Sequence, residues 1–142
     1  MVRSALFGAL CAVAALGCES GIKRIPTGGE ATLDGKPLNG GVLMFSPDPA
    51  KGNAARVGCT GAVSNGKFNL VTAGMNKGDT GSGAPTGWFK VTYFHPDEGS
   101  LKEGTSTPKV AQRYYNEDTT PILIELTDPP PPGGYKVELQ SK

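Results

Sequence analysis

Cysteine is the residue type in this chain with the clearest chemical assignment, and its position supplies the reason. Ala15-Leu16-Gly17-Cys18 closes an uncharged run from Ala5, and Arg3 is the only charge ahead of it. The run is shorter than the ~20 apolar residues a spanning helix needs, so it reads as an export signal. A small residue directly before a cysteine is the pattern at which a lipoprotein signal peptidase cuts. The expected chemistry at Cys18 is thioether formation with a diacylglyceryl group, then cleavage and N-acylation. Two or more acyl chains anchor stably, each buried methylene contributing ~0.8 kcal/mol. Ala15 departs from the Leu or Val commonest at that place, and ordinary secretion or an uncleaved anchor are the plain alternatives.

Other residues offer less. Hydrolysis by a serine triad needs a base and an orienting group within hydrogen-bond reach of the nucleophile. The chain has a single histidine, His95, and no Gly-x-Ser-x-Gly elbow. Catalytic zinc takes three protein ligands, whereas His95 has only Asp97 and Glu98 near it in sequence. Asp48, Asp79 and Asp118 fall in loops without the D-x-D-x-D-G spacing of a calcium site and read as solvated turn residues. The glycines between 74 and 87 precede neither a helix nor a Gly-Lys-Ser/Thr, so they form no phosphate cradle. The expectation is no catalytic residue, no metal and no cofactor.

Aromatic residues carry the remaining binding hypothesis. Trp88 and Phe94 share one side of a strand, opposite its core side, and Tyr114 and Tyr115 lie in a polar stretch beyond it. Exposed rings could stack on a glycan or a protein partner. The plainer reading has Trp88 covering an end of the fold or packing beneath the 95–119 loop.

Composition bounds the frame that must position these groups. Cleavage before Cys18 leaves about 125 residues, enough for one domain with one core. Lysine plus arginine number 14 against 13 acidic residues, and loss of Arg3 makes the mature chain neutral. Such a balance gives no electrostatic footprint for nucleic acid and no basic cluster as a second membrane signal. With Cys11 removed and Cys18 acylated, only Cys59 remains, so no intrachain disulfide is expected. A Cys18–Cys59 bridge becomes available only if Cys18 is not acylated.

Residues 19–28 read as a tether. Strand signals then recur between turns. Ala31 and Leu33 alternate with polar neighbours before the Asp34-Gly35-Lys36-Pro37 turn. Val42 to Phe45 is a continuous apolar strand, with Leu43 and Phe45 on one face and Val42 and Met44 on the other. Ser64-Asn65-Gly66-Lys67 predicts a two-residue hairpin turn that pairs Ser64 with Lys67 and Val63 with Phe68. Counting by twos sets Val57, Cys59, Gly61 and Val63 on one face, which makes Cys59 a small buried hydrophobe. Residues 72–87 read as a glycine-rich loop. Trp88 to Phe94 forms a strand with Phe89, Val91 and Tyr93 inward. Pro121 to Leu126 and Tyr135 to Leu139 read as a last hairpin, whose Pro129–Pro132 loop cannot donate ladder hydrogen bonds and should project. About seven strands with regular turn signals predict an antiparallel, Ig-like β-sandwich.

DGKPL (34–38), Phe-x-Pro (45–47), NGKFNL (65–70), GAPTGWFKVTY (83–93), TTPI (119–122) and YKVEL (135–139) form an ordered set. Over residues 26–140 the chain resembles the small lipoproteins of planctomycete-type bacteria that carry a carboxypeptidase-regulatory-like, or transthyretin-like, domain. The resemblance implies a seven-stranded prealbumin-like sandwich over 29–142, after a signal peptide at 1–17 and a lipidated tether at 18–28. It assigns no activity. Thr27, where valine is usual, and the tetraproline loop depart from it. The functional expectation is a non-enzymatic, lipid-anchored envelope protein, structural or binding, with an envelope protein or glycan as partner. The alternatives are a carbohydrate- or peptide-binding accessory module using Trp88, Phe94, Tyr114 and Tyr115, or a hydrolase with an unrecognised site. Glu19, in place of the aspartate linked to inner-membrane retention, points toward an outer membrane facing periplasm or cell exterior.

Overall fold

The structure is a computed structural model that describes residues 21–53, 55–74, 77–96 and 107–142. The signal stretch, Cys18 and Glu19 lie outside the described residues, as do Asp97 and Glu98.

The short apolar runs become strands: β1 (Gly28–Leu33), β2 (Lys36–Pro37), β3 (Val42–Pro47), β4 (Gly58–Ala62), β5 (Lys67–Asn69), β6 (Val71–Ala73), β7 (Gly81–Ser82), β8 (Gly87–Phe94), β9 (Leu123–Leu126) and β10 (Tyr135–Leu139). They form two sheets. In one, β1 lies between β10 on one side and β2 and β5 on the other; the second runs β7-β6-β4-β3-β8-β9. The architecture is all-β and sandwich-like, as the turn spacing predicts.

Alternation of inward and outward positions builds the core between the sheets. Ala31, Phe68, Val137 and Leu139 come from the smaller sheet, and Leu43, Phe45, Phe89 and Val91 from the larger. Phe45 of β3 meets Phe68 of β5 with ring centroids 6.0 Å apart, and Phe89 of β8 at 6.4 Å. The expected faces of β3 and β4 hold: Leu43 and Phe45 are buried, as are Cys59, Gly61 and Val63. Thr27 is buried too, its hydroxyl donating to the Ile25 carbonyl at 2.7 Å, so a polar residue is satisfied there.

Asn65 (φ 50°) and Gly66 (φ 72°) take the left-handed conformation of a tight hairpin turn. Ser64 pairs with Lys67, and the same register reappears as Thr60 with Val71, Cys59 with Thr72 and Gly58 with Ala73. Between those points the expected ladder is interrupted. β5 leaves β4 and pairs with β1 in the opposite sheet, setting Glu30 against Lys67, so Val63 does not pair with Phe68 as the turn alone predicts. Its amide instead donates to Gly41.

Three further expectations need correction. Residues 72–87 are not one loop: β6 and β7 add to the larger sheet, with a 3-10 turn at Lys77–Asp79 between them. The last two strands form no hairpin. β9 pairs with β8 in the larger sheet, whereas β10 lies parallel to β1 in the smaller, from Gly29 opposite Tyr135 to Leu33 opposite Leu139. Pro129–Pro132 cannot continue a ladder, and the chain uses that stretch to cross between sheets. The β1–β10 pair also means that the sandwich is not wholly antiparallel.

Candidate functional site

β8 positions two of the aromatic candidates, and its length separates them. Trp88 and Phe94 are six residues apart, ~20 Å along a strand, so they stand at opposite ends of β8.

At the Trp88 end, β3 runs into a 3-10 turn at Pro49–Lys51. Asp48 caps it, its Oδ1 accepting from the Ala50 amide at 3.0 Å, and the Asp48 amide donates to the Trp88 carbonyl at 2.9 Å. Asn53 Nδ2 donates to the same carbonyl at 2.8 Å. The turn thereby lays the Lys51 ammonium 5.6 Å from the Trp88 ring centroid. Trp88 is half-buried under this cover.

At the other end, Tyr93 is buried with its hydroxyl donating to Gly40 O at 3.3 Å. Tyr115 stands edge-on to Tyr93 at 5.8 Å and is 45% exposed. His95 lies 6.4 Å from Tyr93, with Nδ1 2.8 Å from the Pro96 carbonyl oxygen. Phe94, 50% exposed, points to the outer side of the sheet, opposite Tyr93. Tyr114 belongs to the core instead, 3% exposed, with the Arg113 guanidinium 4.8 Å from its ring. Its ring offers no surface to a ligand. The four candidates therefore do not form one site: Phe94 and Tyr115 share an end on opposite sides of β8, Trp88 is remote, and Tyr114 is structural.

Among the described residues, no three His, Cys, Asp or Glu side chains come together as a metal site. Cys59 is 1% exposed, and burial pushes its thiol above the ordinary value, opposed by the Thr72 hydrogen bond. A shallow groove of about 500 Å³ opens between the proline loop and the β1–β5 pair, walled by Pro26, Gly28, Asn69, Pro130 and Pro131. Glycine and proline dominate those walls, and Lys67, at the rim, is ion-paired to Glu30.

Sequence reasoning passed over the outer surface of the larger sheet. Met44 and Val71 are exposed there at 40% and 42%, beside Phe94. The signal was present in Val42-Leu43-Met44-Phe45, because a strand with one wet face should alternate with polar residues and this one does not.

Comparison with family models, with curated proteins and with solved structures returns no match to this chain. Among the described residues no helix is long and apolar enough to cross a membrane.

Proposed function

We propose that this chain is an exported protein held to a membrane by acyl chains on Cys18, with a transthyretin-like β-sandwich as a non-enzymatic structural or binding module in the cell envelope. The observation that carries this reading is the uncharged run ending in Leu16-Gly17-Cys18, followed almost at once by a folded body. Arg24 already donates to the Gly78 carbonyl at 2.9 Å, and Ile25 pairs with Ala84. Glu19 favours an outer-membrane address.

A tagged fatty acid fed to producing cells should label the mature protein, and Cys18→Ser should abolish the label and release the chain from the membrane fraction. An unlabelled wild-type chain that partitions as the variant does would defeat the reading.

Recognition of a glycan or envelope protein draws support from the exposed Phe94 and Tyr115, not from Trp88 or Tyr114. Loss of capture of a purified envelope glycan or protein on Tyr115→Ala, with unchanged capture on Lys51→Ala, is its expected signature.

A further inference from the structure

The strand β10 ends the smaller sheet and leaves one of its edges open. The Leu139 carbonyl accepts from the Asp34 amide at 2.9 Å, so Tyr135, Val137 and Leu139 turn their peptide groups toward β1. Those groups alternate sides along a strand, and the groups of Lys136 and Glu138 therefore point away from β1. Among the described residues they have no backbone hydrogen bond. The same parity marks both limits of the open run. The Gln140 carbonyl accepts from Ala111 at 2.8 Å, and the Gly134 amide donates to Pro131 at 3.0 Å. Unpaired donors and acceptors on an edge are a template for another strand.

The side chains on this edge say which strand fits. Natural edges are guarded by charge, lysine above all, and both open positions here are charged and exposed. Lys136 stands in register with Glu30, but Glu138 stands against Thr32 and makes no ion pair among the described residues. Consider a second copy laid antiparallel about a two-fold axis at Val137. Lys136 then faces the partner's Glu138, and Glu138 faces the partner's Lys136. Both are hydrogen-bonded positions of such a ladder, so every open peptide group is used at once. The outer face then runs Lys67, Glu30, Lys136 and the partner's Glu138, each neighbour opposite in sign. On the inner face Val137 meets its own copy and Tyr135 meets the partner's Leu139, all buried positions. An axis at Lys136 would oppose two lysines and one at Glu138 two glutamates, pairings that destabilise a sheet.

We propose that two copies of this chain pair through β10, joining their smaller sheets into one across a two-fold axis at Val137. The partner is a second copy because the edge is complementary in charge to itself, in one register. The contact is isologous and closes as a dimer. Its ladder is short, so the dimer is weak and reversible, and salt should loosen it by screening exposed charges. It is independent of the anchor at Cys18.

The test is sedimentation of the chain, purified from producing cells, in density-matched detergent. Wild type should show a concentration-dependent dimer that high salt weakens. Lys136→Glu and Glu138→Lys each turn both ion pairs into like-charge contacts and should weaken the dimer by about tenfold or more. Mixed in equal amounts, the two variants should associate again, because a doubly acidic edge then meets a doubly basic one. Recovery on mixing also excludes misfolding as the cause of the loss. A wild-type chain that stays monomeric at every concentration overturns the proposal and leaves the edge to a strand of another protein. A dimer that either variant keeps, or that variants with native circular dichroism do not regain on mixing, overturns it in favour of contact elsewhere. A second readout needs no charge reversal. Lys136→Cys mixed with Glu138→Cys should oxidise to the mixed disulfide in preference to either like pair, since only 136 and 138 stand opposite. Cys59 is buried and does not compete, and wild type oxidised alongside reports any other thiol. Mixed and like disulfides in random proportion would overturn the register.

Discussion

Thr72 and Gly83 are joined across the β6–β7 edge by a hydrogen bond of 2.7 Å from the Thr72 hydroxyl to the Gly83 carbonyl, with Thr72 fully buried. The Cys59 Sγ lies 3.6 Å from the same hydroxyl oxygen. One hydroxyl ties β4, β6 and the segment after β7 together. Thr72→Val keeps the shape and orphans a buried carbonyl, which costs ~1–3 kcal/mol. Urea unfolding should show this as a lower midpoint at unchanged slope.

Cys59 itself should resist alkylation in the native protein. The thiolate is the nucleophile, and burial disfavours it here. Reaction with a thiol reagent at mildly alkaline pH should proceed only at the rate of unfolding. Fast stoichiometric labelling under native conditions would contradict the buried placement.

Gly66 is required twice over. Its φ of 72° is left-handed, and a Cβ there would come within 2.8 Å of Pro37 Cβ. Backbone strain of this type costs on the order of 1–3 kcal/mol, so Gly66→Ala should lower stability by at least that amount. The neighbouring change Asn65→Gly should be nearly neutral, and thermal melts of the two variants separate conformation from side-chain loss.

Tyr93 supplies a pH signature. Burial, with Tyr115 beside it as a smaller cause, holds its phenol up at about 12 against the ordinary 10.0. The folded state keeps a proton that the unfolded chain releases, so stability falls as pH rises from 10 toward 12. Phenolate absorbance should contain a late component that disappears in Tyr93→Phe.

Much of this was legible in the chain because its signals are local. Asn65-Gly66 fixes a turn, and alternation about it correctly buries Val57, Cys59 and Val63. Strand partners are another matter. Tyr135-Lys136-Val137-Glu138-Leu139 alternates cleanly and so announces a strand, but nothing in five residues says that the neighbour is β1, over a hundred positions away. The proline run read as a hairpin loop for the same reason: it forbids pairing without saying where the chain goes next. Tyr114 reads as a loop ring because the 95–119 stretch around it is polar and irregular. Only the fold reveals that Val110 and Tyr114 turn inward together. Of the site, the anchor motif was visible at once. The exposed apolar residues of the larger sheet were not, since Met44, Val71 and Phe94 come from three strands far apart in sequence.

The parallel pairing of the first and last long strands has a mechanical side. A pull applied between residue 28 and residue 139 runs along both strands in opposite senses, so the ladder from Gly29–Tyr135 to Leu33–Leu139 bears load in shear. Its hydrogen bonds must then fail together instead of opening one by one like a zipper. Gly29 lets the two backbones approach, because a Cβ there would overlap the Tyr135 carbonyl oxygen. Single-molecule stretching should record a high rupture force between the termini, and Gly29→Ala should weaken it; tugged from one end while moored at the other, the body would behave as a clasp.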